Sequence, residues 1–113
     1  MVKNLQRSLP YIETLLKEKR YKNRIEMLKR YPPFVLHAIY EVLHNVINGN
    51  CKISINQRNA LWRHRKALEQ VVKAIRAKQK NTNNVFYKQS GHGLLSVLLP
   101  IVASVIGGIV GSR

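Results

Sequence analysis

Apolar positions recur along this chain at helical spacing until the last third, where they merge into one unbroken run. The clearest series is Val35, Ala38, Ile39, Val42, Leu43, Val46 and Ile47, three or four residues apart, which places them on one face of a helix. Pro32-Pro33 open that helix. Asn48-Gly49 close it, because glycine accepts the left-handed conformation that follows a last turn. Upstream, Ile12, Leu15 and Leu16 stripe a first short helix, with Ser8 placed to cap it and Pro10 in its first turn. Asn23-Arg-Ile-Glu26 spells a capping box, and the helix it predicts stops before Pro32.

A second capping box, Ser54-Ile-Asn-Gln57, opens a helix that the pattern carries to about Lys78, with Ile53 set to staple its first turn. At about 100° per residue, Leu61, Leu68, Val71, Val72 and Ile75 share one arc. Arg58, Arg65, Lys66, Lys73, Arg76 and Lys80 gather on the adjoining arc, with Trp62 among them. Residues 79–92 are polar and amide-rich and read as a linker, with a short structured patch at Val85-Phe86-Tyr87. The expected fold class is all-α: a bundle of about four helices over residues 1–78, the linker 79–92, and a C-terminal apolar helix over 93–113.

That last segment changes the picture most. Gly93 to Val110 is 18 residues without a charge. As a helix it would span roughly 27 Å, close to a bilayer's hydrocarbon thickness. Leu94, Leu95, Val97, Leu98, Leu99, Ile101, Val102, Val105, Ile106 and Ile109 are its candidate membrane-contacting residues. Pro100 should kink it. Ala103, Gly107 and Gly111 lie four apart, a spacing that lets membrane helices approach closely. The alternative is that the segment forms the last helix of the soluble core. With only Ser96 and Ser104 polar and a linker before it, a membrane-seeking tail, or one buried against a capsid, is favoured; self-association is left open.

Charge is as uneven as hydropathy. Twenty Lys plus Arg against five glutamates, with no aspartate, leave +15. Such an excess repels itself unless an anionic partner neutralises it. Seven cations fall between Lys17 and Arg30, nine between Lys52 and Lys80 opposed by Glu69 alone, and only Arg113 follows Ser90. A solvated helix face is the blander reading, but ordinary faces mix signs, and polyanion binding is favoured. The candidate phosphate contacts are Lys17, Lys19, Arg20, Lys22, Arg24, Arg58, Arg63, Arg65, Lys66, Lys73, Arg76, Lys78 and Lys80. No recognition-helix signature is present, so binding without sequence specificity is expected. Trp62 and the tyrosines Tyr21, Tyr31 and Tyr40 are expected to pack in the domain rather than stack on bases.

Little else in the sequence carries chemistry. The five glutamates form no interpretable acid–base pair, no glycine loop is built to cradle phosphate, and no nucleophile has a convincing base. His37 and His44, seven apart on one helix, are expected to pack rather than hold a metal, and His64 and His92 stand alone. The single Cys51 excludes an internal disulfide and suits a reducing compartment. The N-terminal residues lack the apolar core of a secretory signal. A non-enzymatic protein without cofactor is expected.

Gly49-Asn-Cys-Lys-Ile-Ser54, followed by Gln57, Leu61, Lys66 and Leu68, resembles a pattern in the short basic proteins of Maverick/Polinton-type elements and the related adintoviruses. In those proteins a helix ends in Gly-Asn, an apolar-Ser cap follows, and a Lys/Arg-rich helix comes next. Gly93-Leu-Leu-Ser-Val-Leu-Leu-Pro-Ile is similar to the C-terminal segment of the adenovirus core protein X, or mu. The resemblance implies a virion core protein that condenses packaged DNA and resides in the host nucleus or cytoplasm before assembly. One departure is that Asn81–Lys88 stands where such proteins carry a dense Lys/Arg cluster, which shifts the weight onto the folded helices. The alternatives are a tail-anchored membrane protein whose basic domain reads anionic lipid, and a membrane-permeabilising protein.

Overall fold

The computed structural model describes residues 2–49, 53–78 and 80–111, and side chains within 5–49, 53–78, 80–90 and 93–108. Cys51 and Lys52, with the side chains of His92 and Ile109, lie outside the described residues. Among those described there are seven α-helices and no strand. They are α1 (Val2–Lys17), α2 (Tyr21–Arg30), α3 (Pro33–Ile47), α4 (Ile55–Arg63), α5 (Arg65–Arg76), α6 (Thr82–Gln89) and α7 (Leu95–Gly111), with a π-helical turn, Ser90–Leu94, joining the last two.

The apolar run is the centre of the molecule. α7 packs along α1 and also against α3 and α4. Leu94, Leu95, Leu98, Leu99, Ile101, Val102 and Ile106 are all buried, and Val97 and Val105 half-buried, against Ile12, Leu15, Val35, Ile39 and Leu43. No described helix is long and apolar enough to cross a membrane. In place of the membrane contact expected of them, these side chains leave water by entering the protein's own core.

The helix has a solvent side of its own. Ser96, Pro100, Ser104 and Gly108 follow one another at four-residue spacing and are all exposed, forming a narrow weakly polar stripe. Pro100 sits on that stripe, so the carbonyl deprived of its partner faces water and the helix continues through the proline. Pro10 is placed the same way, exposed within α1. It is an interior residue there, because α1 begins before Ser8. Ser8 does not cap; it is buried, and its hydroxyl donates to the Phe34 carbonyl on α3 at 3.4 Å.

Within the stretch expected to link the bundle to the last helix, the patch at Val85-Phe86-Tyr87 is part of a longer helix. Thr82–Gln89 is helical and packs on α5, and Phe86 is fully buried with its ring edge-on to Tyr40 at 5.6 Å. The Tyr40 hydroxyl donates to Asn83 Oδ1 at 2.6 Å, and burial raises its pKa well above the usual tyrosine value. Gly93, at φ +88°, turns the chain into α7 in a conformation that L side chains avoid; a Cβ there would lie 3.4 Å from His64 Cε1. With the last helix folded back, the radius of gyration is 13.0 Å, about that of a single domain of this length.

α3 forms as its pattern requires, with Pro33 at the first helical position and Gly49 at φ +74° just past the end. α2 begins earlier than its expected box: Asn23 lies inside it, and no side chain of the cap residue Arg20 bonds the helix start. Glu18 serves there instead, its Oε1 accepting from the Arg20 amide at 3.0 Å. That bond, helped by the Asn23 side chain and the charge of Arg20, holds the Glu18 carboxyl below its ordinary pKa.

Arg24 is the largest departure on the cationic side. It is buried on α2, where Nε donates to the Leu15 carbonyl at 3.0 Å, one terminal nitrogen to the Leu16 carbonyl at 3.5 Å and the other to Ser96 Oγ at 3.1 Å. Leu15 and Leu16 belong to the last turn of α1, whose carbonyls have no partner within the helix. The guanidinium thus satisfies that turn, sits favourably at the negative end of the helix dipole, and ties α1 and α2 to α7.

Arg24→Met should lower stability by about 2–4 kcal/mol, because it removes three charge-assisted hydrogen bonds at a buried helix end, leaving the Leu15 carbonyl with the Glu18 amide alone. Thermal unfolding beside an exposed control, Lys22→Met, which should shift by no more than about 0.5 kcal/mol, checks this. Glu18→Gln should lower the melting temperature at neutral pH. Since the folded pKa is depressed, the carboxylate's contribution is complete above the unfolded value and fades as pH falls through the folded one. The gap between variant and parent should therefore close in acid; a gap independent of pH would assign the effect to packing.

Candidate polyanion-binding surface

The arm α4–α5 carries the densest cations, and its start is built as the sequence dictates. Ser54 Oγ accepts from the Gln57 amide and Gln57 Oε1 accepts from the Ser54 amide, both at 3.1 Å, completing the capping box. The helix then breaks. His64, at φ −106° and ψ 21°, leaves the helical conformation, so the expected single helix is two. The amphipathic pattern survives the break: Leu61 and Val71 are buried, and Leu68, Val72 and Ile75 are half-buried.

Arg58, Arg63, Arg65, Lys66, Lys73 and Arg76 are all exposed on this arm, and Glu69 is the only acid beside them. Past α5, Lys78 and Lys80 are exposed as well. Lys78 ends the helix in the left-handed region, φ +52°, with its amide donating to the Ile75 carbonyl at 3.1 Å. A second group of cations lies where α1 meets α2: Lys17, Lys19, Arg20 and Lys22, all exposed. α2 packs on the π-helical turn but not extensively on α4 or α5, so the two groups are not merged by contact. Of the thirteen candidate phosphate contacts, Arg24 alone is withdrawn into the interior.

Charge compensation is nearly absent. Among the described residues one ion pair forms, Lys29 Nζ to Glu26 Oε1 at 3.9 Å, between exposed side chains. Arg7 lies over the Phe34 ring at 4.2 Å, and the same Lys29 lies over Tyr87 at 5.5 Å. No group of three or more His, Cys, Asp or Glu among the described residues is placed to hold a metal ion. His37 and His44 are both exposed on α3, and a ring nitrogen of His44 lies 2.9 Å from the Asn48 amide nitrogen.

Trp62 departs from expectation. It does not pack against α1 or α2 but stands 66% exposed, with the Arg65 guanidinium 4.9 Å from its ring centroid. Arg65 also donates to the Trp62 carbonyl at 3.2 Å, which fixes the pair. Tyr21 is exposed too, whereas Tyr31 and Tyr40 are half-buried; burial raises the Tyr31 pKa. Between the end of α3 and the α4–α5 arm runs an open groove of about 1160 Å³. Val46, Ile47, Ile53, Leu61, Leu68 and Val72 line it with apolar surface, and Arg58, Arg65, Lys73 and Arg76 edge it with charge. Neither the cation strip nor the capping box alone betrays this groove. It exists because Ile53 and the end of α3 leave the leucine face of the arm only partly covered.

No protein-family model matches the chain, and neither a curated protein nor a solved structure does.

Lys78→Gly should raise stability by about 0.5–1 kcal/mol, by relieving a left-handed residue at a helix end, while weakening polyanion binding slightly. Paired thermal melts and DNA titrations read the two signs separately.

Proposed function

We propose that this is a non-enzymatic protein that binds DNA without sequence specificity and neutralises its phosphates. The observation that carries this reading is the α4–α5 arm: six exposed cations, one acid, and no ion pair to any of them among the described residues. Every phosphate bound there releases counterions without first breaking an internal salt bridge. A folded body behind the cations supports the same reading, since side chains held on rigid helices lose less freedom on binding than those of a disordered arm. The break at His64 leaves no long continuous helix for reading a major groove, in keeping with backbone contacts rather than base contacts.

Packaging within a virion follows from the resemblance of the Gly49–Leu68 stretch to the basic proteins of Maverick/Polinton-type elements. In that setting the protein would condense a genome with two cationic groups, one at the α1–α2 junction and one on the arm. The apolar helix contributes rigidity to this function and not an anchor.

The test uses the full chain, because α7 supplies much of the core. Affinity for random-sequence duplex DNA is measured across a salt series, with anionic vesicles as competitor. The logarithmic slope should be steep. In the triple variant Arg65→Glu, Lys66→Glu, Lys73→Glu it should flatten by about 3, close to 0.9 per lost phosphate contact. An unchanged slope removes the arm from the interface, and preference for vesicles over DNA makes the ligand an anionic lipid surface.

A further inference from the structure

The groove beside the arm has more apolar wall than a phosphate backbone needs. Ile47, Leu61, Leu68 and Val72 lie along it, and both Ile47 (39% exposed) and Trp62 (66%) stand uncovered there. Duplex DNA offers sugars and charged phosphates to a protein surface, neither of which fills an aliphatic floor. Unstacked bases have polar edges, and burying these without hydrogen-bond partners is costly. An amphipathic helix matches both halves of the groove, with apolar anchors for the floor and flanking charges for the rim.

We propose that this groove docks an acidic amphipathic helix of a partner protein. Charge complementarity fixes the sign: Arg58, Arg65, Lys73 and Arg76 edge the groove with only Glu69 among them, and none of the four is in an ion pair among the described residues. Length fixes the scale, since the α5 wall from Arg65 to Arg76 is roughly 17 Å at 1.5 Å per residue, or about three turns of a docked helix. A second copy of this chain does not qualify, because at +15 with five glutamates it has no acidic helix to offer. The docked helix covers the cations that would otherwise meet phosphate, so partner and DNA exclude one another on this arm. An acidic partner of this kind frees the arm from DNA and leaves the α1–α2 group untouched.

Trp62 is the only tryptophan, so its fluorescence in the full chain reports on the groove directly. The probe is a peptide of about four turns with leucines at helical spacing and glutamates flanking them, compared with the same residues scrambled and with oligothymidylate. The amphipathic peptide should give a saturable blue shift, with affinity roughly tenfold or more above that of the scrambled peptide. Arg65→Glu with Lys73→Glu, and separately Ile47→Asp, should each weaken it about tenfold while thermal unfolding stays cooperative. Lys19→Glu with Lys22→Glu should leave it unchanged. Equal binding of the scrambled peptide would overturn the proposal by reducing it to charge attraction. Tighter binding of oligothymidylate with the same shift would overturn it too, by making the groove a track for single strands.

Discussion

One helix that cannot stay in water organises this protein. α7 carries no charge, and each large side chain it buries is worth about 1.5–3 kcal/mol when removed from solvent. α1, α3 and α4 supply the covering, and they do so with their own apolar stripes, so the two needs are met together. The arrangement also answers the electrostatic problem. Cations on α1, α2, α4 and α5 are held at the surface, where water screens their repulsion, while the neutral helix takes the place where charge would be intolerable.

Arg24 shows how narrow the exception is. A buried cation normally demands a carboxylate, and this one has none; it is satisfied by two carbonyls and a hydroxyl. The helix terminus supplies the negative potential that an acid would otherwise bring. Using backbone in this way keeps the chain's few carboxylates free for other work, as Glu18 does at the start of α2.

Much of this was legible in the sequence. Both ends of α3 and the capping box at Ser54 are set by local chemistry, which acts over a few residues and so survives in a linear reading. Long-range effects were not legible. A charge-free run long enough for a bilayer and a helix buried in a protein's own core share one composition. The distinguishing mark was the four-residue recurrence of Ser96, Pro100, Ser104 and Gly108, a solvent stripe too weakly polar to stand out. The patch around Phe86 was legible but the full helix Thr82–Gln89 was not, because asparagines tolerate a helix only when something such as a buried ring holds it in place. Arg24 looks like its exposed neighbours because its partners are backbone atoms and a hydroxyl 72 positions away. No residue type around His64 signals the break there. Trp62 was placed correctly among the cations by helical phase, yet its exposure depends on how far α3 reaches, which phase does not encode.

The position of α7 in the chain governs how the protein can come into being. As the polypeptide leaves the ribosome, α1 to α6 emerge before the helix that completes their core. Through that interval their apolar stripes lie open beside an unopposed positive charge. Native structure is therefore gained late, when α7 closes against α1, and the cations are set in their final geometry in the same event. A nascent chain of this design carries its cations as a loose polycation, and only the folded one presents them as a shaped surface.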